Sequence, residues 1–370
     1  MAQYDSLIPI NVITGFLGSG KTTVLARLLR APDLSDTAVL INEFGEVGLD
    51  HHLIEHAAES TLLLENGCLC CAIRGDLKTS LRDLFSRRER GEIPRFKRVA
   101  IETSGLADPV PIAYTVLAEP VIQHHFRLGN IVTVVDAVNG AEQLKRYPES
   151  VKQAAIADRI VLTKTDLCEA GTDAKLRAAL AKINGAAPIL DPEHDGLDPE
   201  HLLSHDLYSA EGKKAEIDSW IAGFDGAERG APDLDHDHTG GVSSFCLWFE
   251  GPLDWTAFGV WMTMLLHRHG DQVLRIKGML NVDGVADPVL VNGVQHVVHP
   301  PSHLPGWPDG DRRSRIVFIT RDISQSRIEA SLAAFNALAN PTELDSYRQS
   351  TTIGDGDRAV VSGWRPRDAI

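Results

Sequence analysis

The chain has 370 residues, of which 43% are hydrophobic and 24% are charged, and its formal net charge is −15. This composition is typical of a globular protein with a substantial core. The negative charge disfavours binding to nucleic acid and to anionic membranes. The cysteines number five, an odd count with three of them clustered, which argues against a disulfide framework. Since the sequence has neither a basic leader nor an apolar run of membrane-spanning length, we expect a cytoplasmic protein.

A glycine-rich segment follows the first predicted strand. Residues 15–22, Gly-Phe-Leu-Gly-Ser-Gly-Lys-Thr, match the pattern G-x-x-x-x-G-K-[ST] at every fixed position. They lie between an apolar strand at 7–13 and residues 23–30, whose apolar spacing predicts a helix. In this setting backbone N–H groups cradle phosphates, Lys21 reaches the β- and γ-phosphates, and the Thr22 hydroxyl binds Mg²⁺. The predicted nucleotide-binding residues here are Gly15, Gly18, Ser19, Gly20, Lys21, Thr22 and Thr23.

Two later strands end in residues that fit the same site. Residues 98–102 form an apolar strand ending at Glu102, which we predict binds Mg²⁺ together with Thr22. Gly105 completes a Glu-x-x-Gly pattern, which is typical of a loop that senses the γ-phosphate. The strand at 159–162 leads into Thr-Lys-Thr-Asp at 163–166. There Asp166 would accept hydrogen bonds from guanine N1–H and the exocyclic amine, which adenine does not offer, while the Lys164 stem packs over the base.

Three cysteines, Cys68, Cys70 and Cys71, lie within four residues between a predicted strand and a predicted helix. Thiolates are good ligands for Zn²⁺ and other borderline or soft metals, and a tight turn of the loop would bring the three sulfurs together. A closed structural zinc site needs a fourth protein ligand. The candidates for it are Glu43, Glu46, His51 and His52. The alternative is a set of buried, inert cysteines, and the clustering favours the metal site.

Together these motifs resemble the CobW family of P-loop GTPases, relatives of the hydrogenase and urease nickel-insertion GTPases. The segments that carry the resemblance are residues 14–23, 42–47, 66–71, 102–109, 135–137, 163–166 and 274–280. It extends over nearly the whole chain, to about residue 322. The resemblance implies a GTP-dependent metallochaperone that handles zinc, cobalt or iron and delivers the metal to a client metalloprotein. It also implies that the cysteine site lies near the nucleotide and its switch regions.

Hydrolysis would proceed by attack of a positioned water on the γ-phosphate, with Lys21, Thr22 and Glu102 as the catalytic residues and Mg²⁺ stabilising the transition state. The sequence assigns neither an arginine finger nor a water-positioning residue, so we expect slow intrinsic turnover. Two other classes stay open. One is a P-loop small-molecule kinase, against which the guanine motif argues, and the other is a non-enzymatic metal store or sensor. The identity of the client is also open.

The predicted fold is α/β: a P-loop NTPase with a doubly wound, mostly parallel sheet, followed by a small α+β C-terminal domain. The predicted parts are a GTPase domain at 1–225, a linker at 226–241, the C-terminal domain at 242–340 and a polar tail at 341–370. The Asp/His tract at 233–238 is either a weak metal-binding arm or a solvated linker. We predict structural roles for Cys168 and Cys246, and exposed positions for His296, His299 and His303. The sequence allows a homo-oligomer without specifying one.

Overall fold

The first part of the chain folds around a mostly parallel sheet. A computed structural model describes residues 4, 6–42, 62–63, 69–72, 76–168, 171–204, 206, 208, 217, 240–308 and 310–339. Within these residues, eight strands form the first sheet: β1 (Ile8–Thr14), β2 (Thr37–Asn42), β3 (Leu62–Leu63), β4 (Leu69–Ala72), β5 (Arg98–Thr103), β6 (Phe126–Asp136), β7 (Arg159–Thr163) and β8 (Ile189–Leu190). Their order is β3-β4-β2-β5-β1-β6-β7-β8, and all neighbours are parallel except β3 and β4.

Helices cover both faces of this sheet. Those described are α1 (Lys21–Leu28), α2 (Leu77–Glu89), α3 (Val110–Ala118), α4 (Pro120–Gln123), α5 (Gly140–Arg146), α6 (Pro148–Ile156), α7 (Thr172–Ile183) and α8 (Pro199–Leu203). Successive residues of a strand point to opposite faces. Accordingly Val12 packs into a core with Leu81 of α2 and Val151 of α6, whereas Ile13 packs into a second core with Leu28 of α1. The doubly wound α/β fold expected from the sequence is therefore confirmed.

The C-terminal domain is an antiparallel sheet with two helices. Its elements are β9 (Val242–Phe249), α9 (Trp255–His269), β10 (Val273–Leu280), β11 (Val289–Val294), β12 (Val297–Val298), β13 (Ser302–His303), β14 (Ser314–Arg321) and α10 (Gln325–Ala339). The strand order is β12-β11-β10-β14-β9, with β13 paired to β11. The sequence predicts a strand over 295–298, but Gln295 turns at φ 48°, so only Val297 and Val298 pair with β11.

The two faces of the C-terminal sheet have different partners. One face packs against α9 and α10 in a core that contains Trp261, Phe318 and Leu332. The other face carries Met279 and Val317, which are buried in the same cluster as the core of the first sheet. Because apolar side chains from both domains share one buried cluster, the C-terminal sheet is packed directly on the N-terminal domain.

A buried ionic contact lies at this junction. Asp158 precedes β7, and its carboxylate pairs with Arg275 and with Lys277 Nζ at 3.0 Å, both on β10. The arginine and lysine are each 1% exposed. Burial alone would raise the pKa of Asp158, but the charges of Arg275 and Lys277 outweigh it and hold the pKa well below its usual value. Within the described part of the chain, no helix has the length and apolar character needed to cross a membrane.

Candidate nucleotide and metal site

The glycine-rich loop connects β1 to α1 and has the backbone of an anion cradle. Gly15, Gly18 and Gly20 all have positive φ angles, of 142°, 71° and 90°. At Gly15 the crowding is severe, because a Cβ there would lie 2.1 Å from the carbonyl oxygen of Val134. Gly20 is the N-cap of α1, so the loop ends at a helix N-terminus. Backbone N–H groups and the helix dipole at such a terminus favour a bound phosphate.

Lys21 is held inside this loop. Its ammonium donates hydrogen bonds to the carbonyl oxygens of Gly15 at 2.9 Å and Phe16 at 3.1 Å. Only 9% of the residue is exposed. These bonds fix a positive charge beside the N-terminus of α1, where a phosphate chain would need it.

Thr22 and Glu102 are brought together from positions 80 residues apart in the chain. The Thr22 hydroxyl donates a 2.5 Å hydrogen bond to Glu102 Oε1. Thr22 lies in the first turn of α1, next to the exposed Thr23, and Glu102 lies near the end of β5 with 6% of its surface exposed. A hydroxyl oxygen and a carboxylate at a phosphate-binding loop are the donor types that Mg²⁺ prefers, so the pair fits that ion.

The loop after Glu102 lies against the phosphate loop. The Thr103 hydroxyl donates to the Thr14 hydroxyl at 2.9 Å, which ties the ends of β5 and β1 together. Two residues further on, a Cβ at Gly105 would lie 2.6 Å from the backbone nitrogen of Leu17. Glycine is therefore required for this close backbone approach, and Gly105 lies where a loop that senses the terminal phosphate is expected.

The Thr-Lys-Thr-Asp motif also contacts the phosphate loop. Lys164 has left-handed backbone angles, and its ammonium donates to Gly18 O at 2.8 Å and to Asp136 Oδ2 at 2.7 Å. The Thr163 hydroxyl donates to Ser19 O at 2.7 Å. The residues predicted to read the base and those predicted to hold the phosphates thus form one connected site at the carboxyl ends of the parallel strands.

Asp166 is presented to solvent by a short 3₁₀ turn, Thr165–Leu167. Asp191 holds this turn by hydrogen bonds. It is 1% exposed and accepts from Thr165 Oγ1 at 2.9 Å and from Arg177 at 2.8 Å. Burial raises the pKa of Asp191, but these and neighbouring hydrogen bonds outweigh it and keep the pKa below its usual value. An ionised Asp191 therefore holds the turn in place and leaves Asp166 accessible to a base.

Asp136, like Asp191, is a buried carboxylate that supports the Thr-Lys-Thr-Asp motif. It ends β6, is 1% exposed, and accepts hydrogen bonds from the Val138 and Asn139 backbones as well as from Lys164. Burial raises its pKa, but the bonds from Lys164 and Asn139 outweigh it, so the pKa of Asp136 is lowered. Sequence reasoning assigned no role to Asp136 or Asp191. The available sequence sign was an Asp at the end of a predicted strand or directly after it, followed by turn residues: Asp136 ends β6 and Asp191 follows β8.

The cysteine cluster is described only in part. Cys70 and Cys71 lie in β4, paired in parallel with Val39 and Leu40 of β2. The sequence predicts a loop at this point, so the strand is a correction for these two residues. Cys68, Glu43 and Glu46 are outside the described residues. Leu40 is in turn in register with Ile101, so Cys71 lies two strand spacings, about 10 Å, from the residue before Glu102.

The two other described cysteines fit the structural role predicted for them, whereas one histidine predicted to be exposed is buried. Cys168 and Cys246 are half-buried, and burial raises the pKa of Cys246 to about 12, which suits a structural role. His299 is 2% exposed at the domain junction, not on the surface, and burial lowers its pKa to about 3. The prediction of an exposed His299 was wrong because Tyr208, from the N-terminal domain, stacks over the ring.

Within the described ranges, no group of three or more His, Cys, Asp or Glu side chains is arranged to hold a metal ion.

Two segments of the chain match known families. Residues 9–191 match the CobW/HypB/UreG nucleotide-binding domain. Residues 242–336 match the cobalamin synthesis protein cobW C-terminal domain. The first segment contains the phosphate loop, Glu102 and the Thr-Lys-Thr-Asp motif, and it ends at Asp191.

Curated relatives match along most of the chain. The zinc chaperone YjiA of Escherichia coli strain K12 is 34% identical over 329 residues, which cover 88% of this chain and 98% of that protein. The zinc chaperone CobW of Pseudomonas aeruginosa is 29% identical over 363 residues, covering 88% and 90%. Among solved structures, the Zn(II)-bound YjiA GTPase from E. coli superposes with a TM-score of 0.68 at 31% identity, covering 89% of this chain and 99% of the other.

Proposed function

Because the chain belongs to the CobW/HypB/UreG family of P-loop GTPases, we propose that it hydrolyses GTP to control the binding and release of a transition metal, Zn²⁺ above all. One observation carries the nucleotide half of the proposal. Lys164 and Thr163 bond to the carbonyl oxygens of Gly18 and Ser19, so the base-reading motif and the phosphate loop are one unit. A guanine on Asp166 and phosphates on the loop can therefore belong to the same molecule.

In the proposed reaction a water oxygen attacks the γ-phosphorus of GTP, the bond from that phosphorus to the β–γ bridging oxygen breaks, and GDP and phosphate are released. Lys21 places its ammonium against the phosphates, and the loop N–H groups hold them in line. Thr22 and Glu102 would hold Mg²⁺, which supplies charge stabilisation to the phosphate oxygens. Positioning by the loop and the charge of Lys21 are this chain's own contributions to the rate.

The metal half of the proposal places Zn²⁺, or Co²⁺ or Fe²⁺, on Cys68, Cys70 and Cys71, with Glu43 or Glu46 completing the site. Two relatives are named zinc chaperones, and one solved relative is a zinc-bound GTPase, which supports zinc as the cargo. The short distance across β4, β2 and β5 supports coupling between this metal and the nucleotide. We propose a reducing compartment, the cytoplasm, and a client metalloprotein as the receiver.

We also propose a division of the chain into four parts. The GTPase domain at 1–225 and the C-terminal domain at 242–340 are joined by the linker at 226–241, and the polar tail at 341–370 follows. Residues 218–239 and 340–370 lie outside the described structure. Limited proteolysis tests these boundaries, and cleavage between 226 and 241 into two protease-resistant fragments, which stay associated through their shared core, is the expected result.

The nucleotide half is tested by titrating the purified protein with fluorescent GTP and ATP analogues and by measuring phosphate release in a single turnover. We expect GTP to bind more tightly than ATP, and Lys21→Ala to abolish phosphate release, because the phosphates lose their fixed positive charge. A preference for ATP would indicate a small-molecule kinase instead. Tight GTP binding without any phosphate release would indicate a metal store or sensor.

The metal half is tested by measuring zinc affinity in the presence of GDP and of a non-hydrolysable GTP analogue. Linkage requires that GTP change zinc affinity by the same factor by which zinc changes GTP affinity, and couplings of this kind are typically about 5- to 150-fold. Because successive residues of a strand alternate between its two faces, we expect Cys70→Ser and Cys71→Ser to weaken zinc binding to different extents. Cys246→Ser, which replaces a half-buried cysteine in β9, should not weaken it. Equal zinc affinity with both nucleotides would refute the coupling. Equal zinc affinity in the wild type and all three cysteine variants would refute the proposed cysteine site.

A further inference from the structure

Helix α6 is attached to the loop that follows Glu102. The Gln153 side chain, 1% exposed, donates from Nε2 to the carbonyl oxygens of Ala107 at 3.0 Å and Gly105 at 3.3 Å. One residue earlier, Lys152 pairs with Asp108 at 2.6 Å. Two adjacent residues of α6 therefore bond to the loop at three positions, Gly105, Ala107 and Asp108, and the Gln153 amide is shielded from water.

Gly105 is held from two directions at once. Its Cα approaches the Leu17 backbone so closely that a Cβ would overlap it, while its carbonyl oxygen accepts from Gln153. A buried carbonyl that loses such a donor has no water to replace it, so the bond resists displacement. A shift of Gly105 relative to the phosphate loop must therefore move Gln153 with it or break this contact.

Both ends of α6 reach other parts of the molecule. At its start, the ring of Tyr147 packs on Phe16 of the phosphate loop, with ring centroids 4.5 Å apart. Two residues beyond its last turn, Asp158 pairs with Arg275 and Lys277 on β10. The helix therefore contacts the phosphate loop, the loop after Glu102 and the C-terminal domain in sequence along its length.

We propose that Gln153 is a positioning residue for GTP hydrolysis, which holds Gly105 for contact with the γ-phosphate and links that contact through α6 to the C-terminal domain. GDP lacks the phosphate that the Glu-x-x-Gly loop would meet, so only GTP depends on this support. The inference rests on the GTPase function proposed above and adds a residue and a route to it. Helix α6 is then the element through which the C-terminal domain responds to the nucleotide.

The test compares Gln153→Leu, which removes the amide and keeps the bulk, with Gln143→Leu, the same exchange on α5. For Gln153→Leu we expect kcat to fall, and the Kd of a non-hydrolysable GTP analogue to rise, by about 5- to 30-fold, with the Kd of GDP unchanged. Gln143→Leu should leave all three constants unchanged. Equal weakening of GTP-analogue and GDP binding would mean a purely structural role, and unchanged constants would also overturn the proposal.

A second measurement needs no variant. Hydrogen exchange of the wild-type protein should differ between the GTP-analogue and GDP forms at the amides of α6 and β10, and identical exchange there overturns the route through α6. A failure of the underlying function is distinguishable, because wild-type protein that releases no phosphate from GTP refutes the GTPase proposal before Gln153 is tested.

Discussion

Asp158 is the residue whose replacement should do most to loosen the junction between the two domains. It is 5% exposed and faces two cations, Arg275 and Lys277, that are each 1% exposed. In the wild type the Ile131 N–H donates to Asp158 Oδ2 at 3.0 Å. Asp158→Asn keeps one oxygen that can accept this bond, and it replaces the other carboxylate oxygen with an amide group that offers Arg275 and Lys277 no negative charge. Breaking a buried ion pair by removing one partner costs about 3 to 5 kcal/mol, because the remaining charge stays desolvated.

The assay is urea denaturation monitored by tryptophan fluorescence, since four of the six tryptophans, Trp248, Trp255, Trp261 and Trp307, lie in the C-terminal domain. With a slope of about 2 to 3 kcal/mol per molar urea, the expected loss moves the midpoint down by about 1 to 2.5 M. Arg146→Ala is the matched control, because its pair with Glu142 is exposed and should contribute less than about 1 kcal/mol. Far-UV circular dichroism of the same samples reports the unfolding of both domains.

The pH dependence gives the same prediction an independent check. Arg275 and Lys277 lower the folded-state pKa of Asp158 despite its burial, so the carboxylate's contribution is complete above its unfolded-state pKa of about 4. As the pH falls below that value toward the folded-state pKa, the contribution is lost. The stability difference between wild type and Asp158→Asn should therefore shrink below about pH 4. A difference under about 1 kcal/mol at pH 7 that does not change with pH would refute the reasoning.

Three further predictions concern the nucleotide site and one half-buried thiol. Thr22→Val removes the hydroxyl that bonds to Glu102, and phosphate release at saturating GTP should fall by about 100-fold; an unchanged rate would contradict the magnesium assignment. Asp191→Ala removes the acceptor beneath Thr165, so GTP affinity should fall by about tenfold in a fluorescence titration, with the fold retained by circular dichroism. Because burial raises the pKa of Cys246 to about 12, iodoacetamide at pH 8 should label it far more slowly in the folded protein than in urea, as read by mass spectrometry.

Much of the nucleotide site was predictable because its parts end parallel strands or directly follow them. Thr22 and Glu102 are 80 residues apart, yet each comes after an apolar strand: Thr22 lies in the first turn of α1, after the glycine-rich loop that follows β1, and Glu102 lies near the end of β5. The carboxyl ends of parallel strands meet at one edge of a sheet, so such residues must lie together. The family resemblance led to the same residues by another route. The family matches confirm the resemblance, and the roles of the site residues stay predictions.

The supporting contacts were not predictable, because they join side chains to backbone atoms of other loops. Lys164 was expected only to cover a base, whereas it also bonds to Gly18 O and to the buried Asp136. Nothing in the local sequence around Asp136 or Asp191 reports their burial. His299 illustrates the same limit, since its environment is created by Tyr208 and Arg275, which are distant in the chain.

The position of the cysteines changes what coupling between metal and nucleotide requires. In a loop, thiolates could follow the nucleotide state by moving freely. Cys70 and Cys71 are instead hydrogen-bonded into the sheet beside β2, and β2 is bonded on its other side to β5, which carries Glu102. A packed sheet transmits displacement with little deformation, so a shift at Glu102 reaches the Cys71 backbone through one intervening strand. The same sheet limits how far the two cysteines can move. In the proposed metal site, release would therefore have to come from ligands outside β4, and the predicted ligands Glu43 and Glu46, which follow β2 in the sequence, are the ones to mutate first.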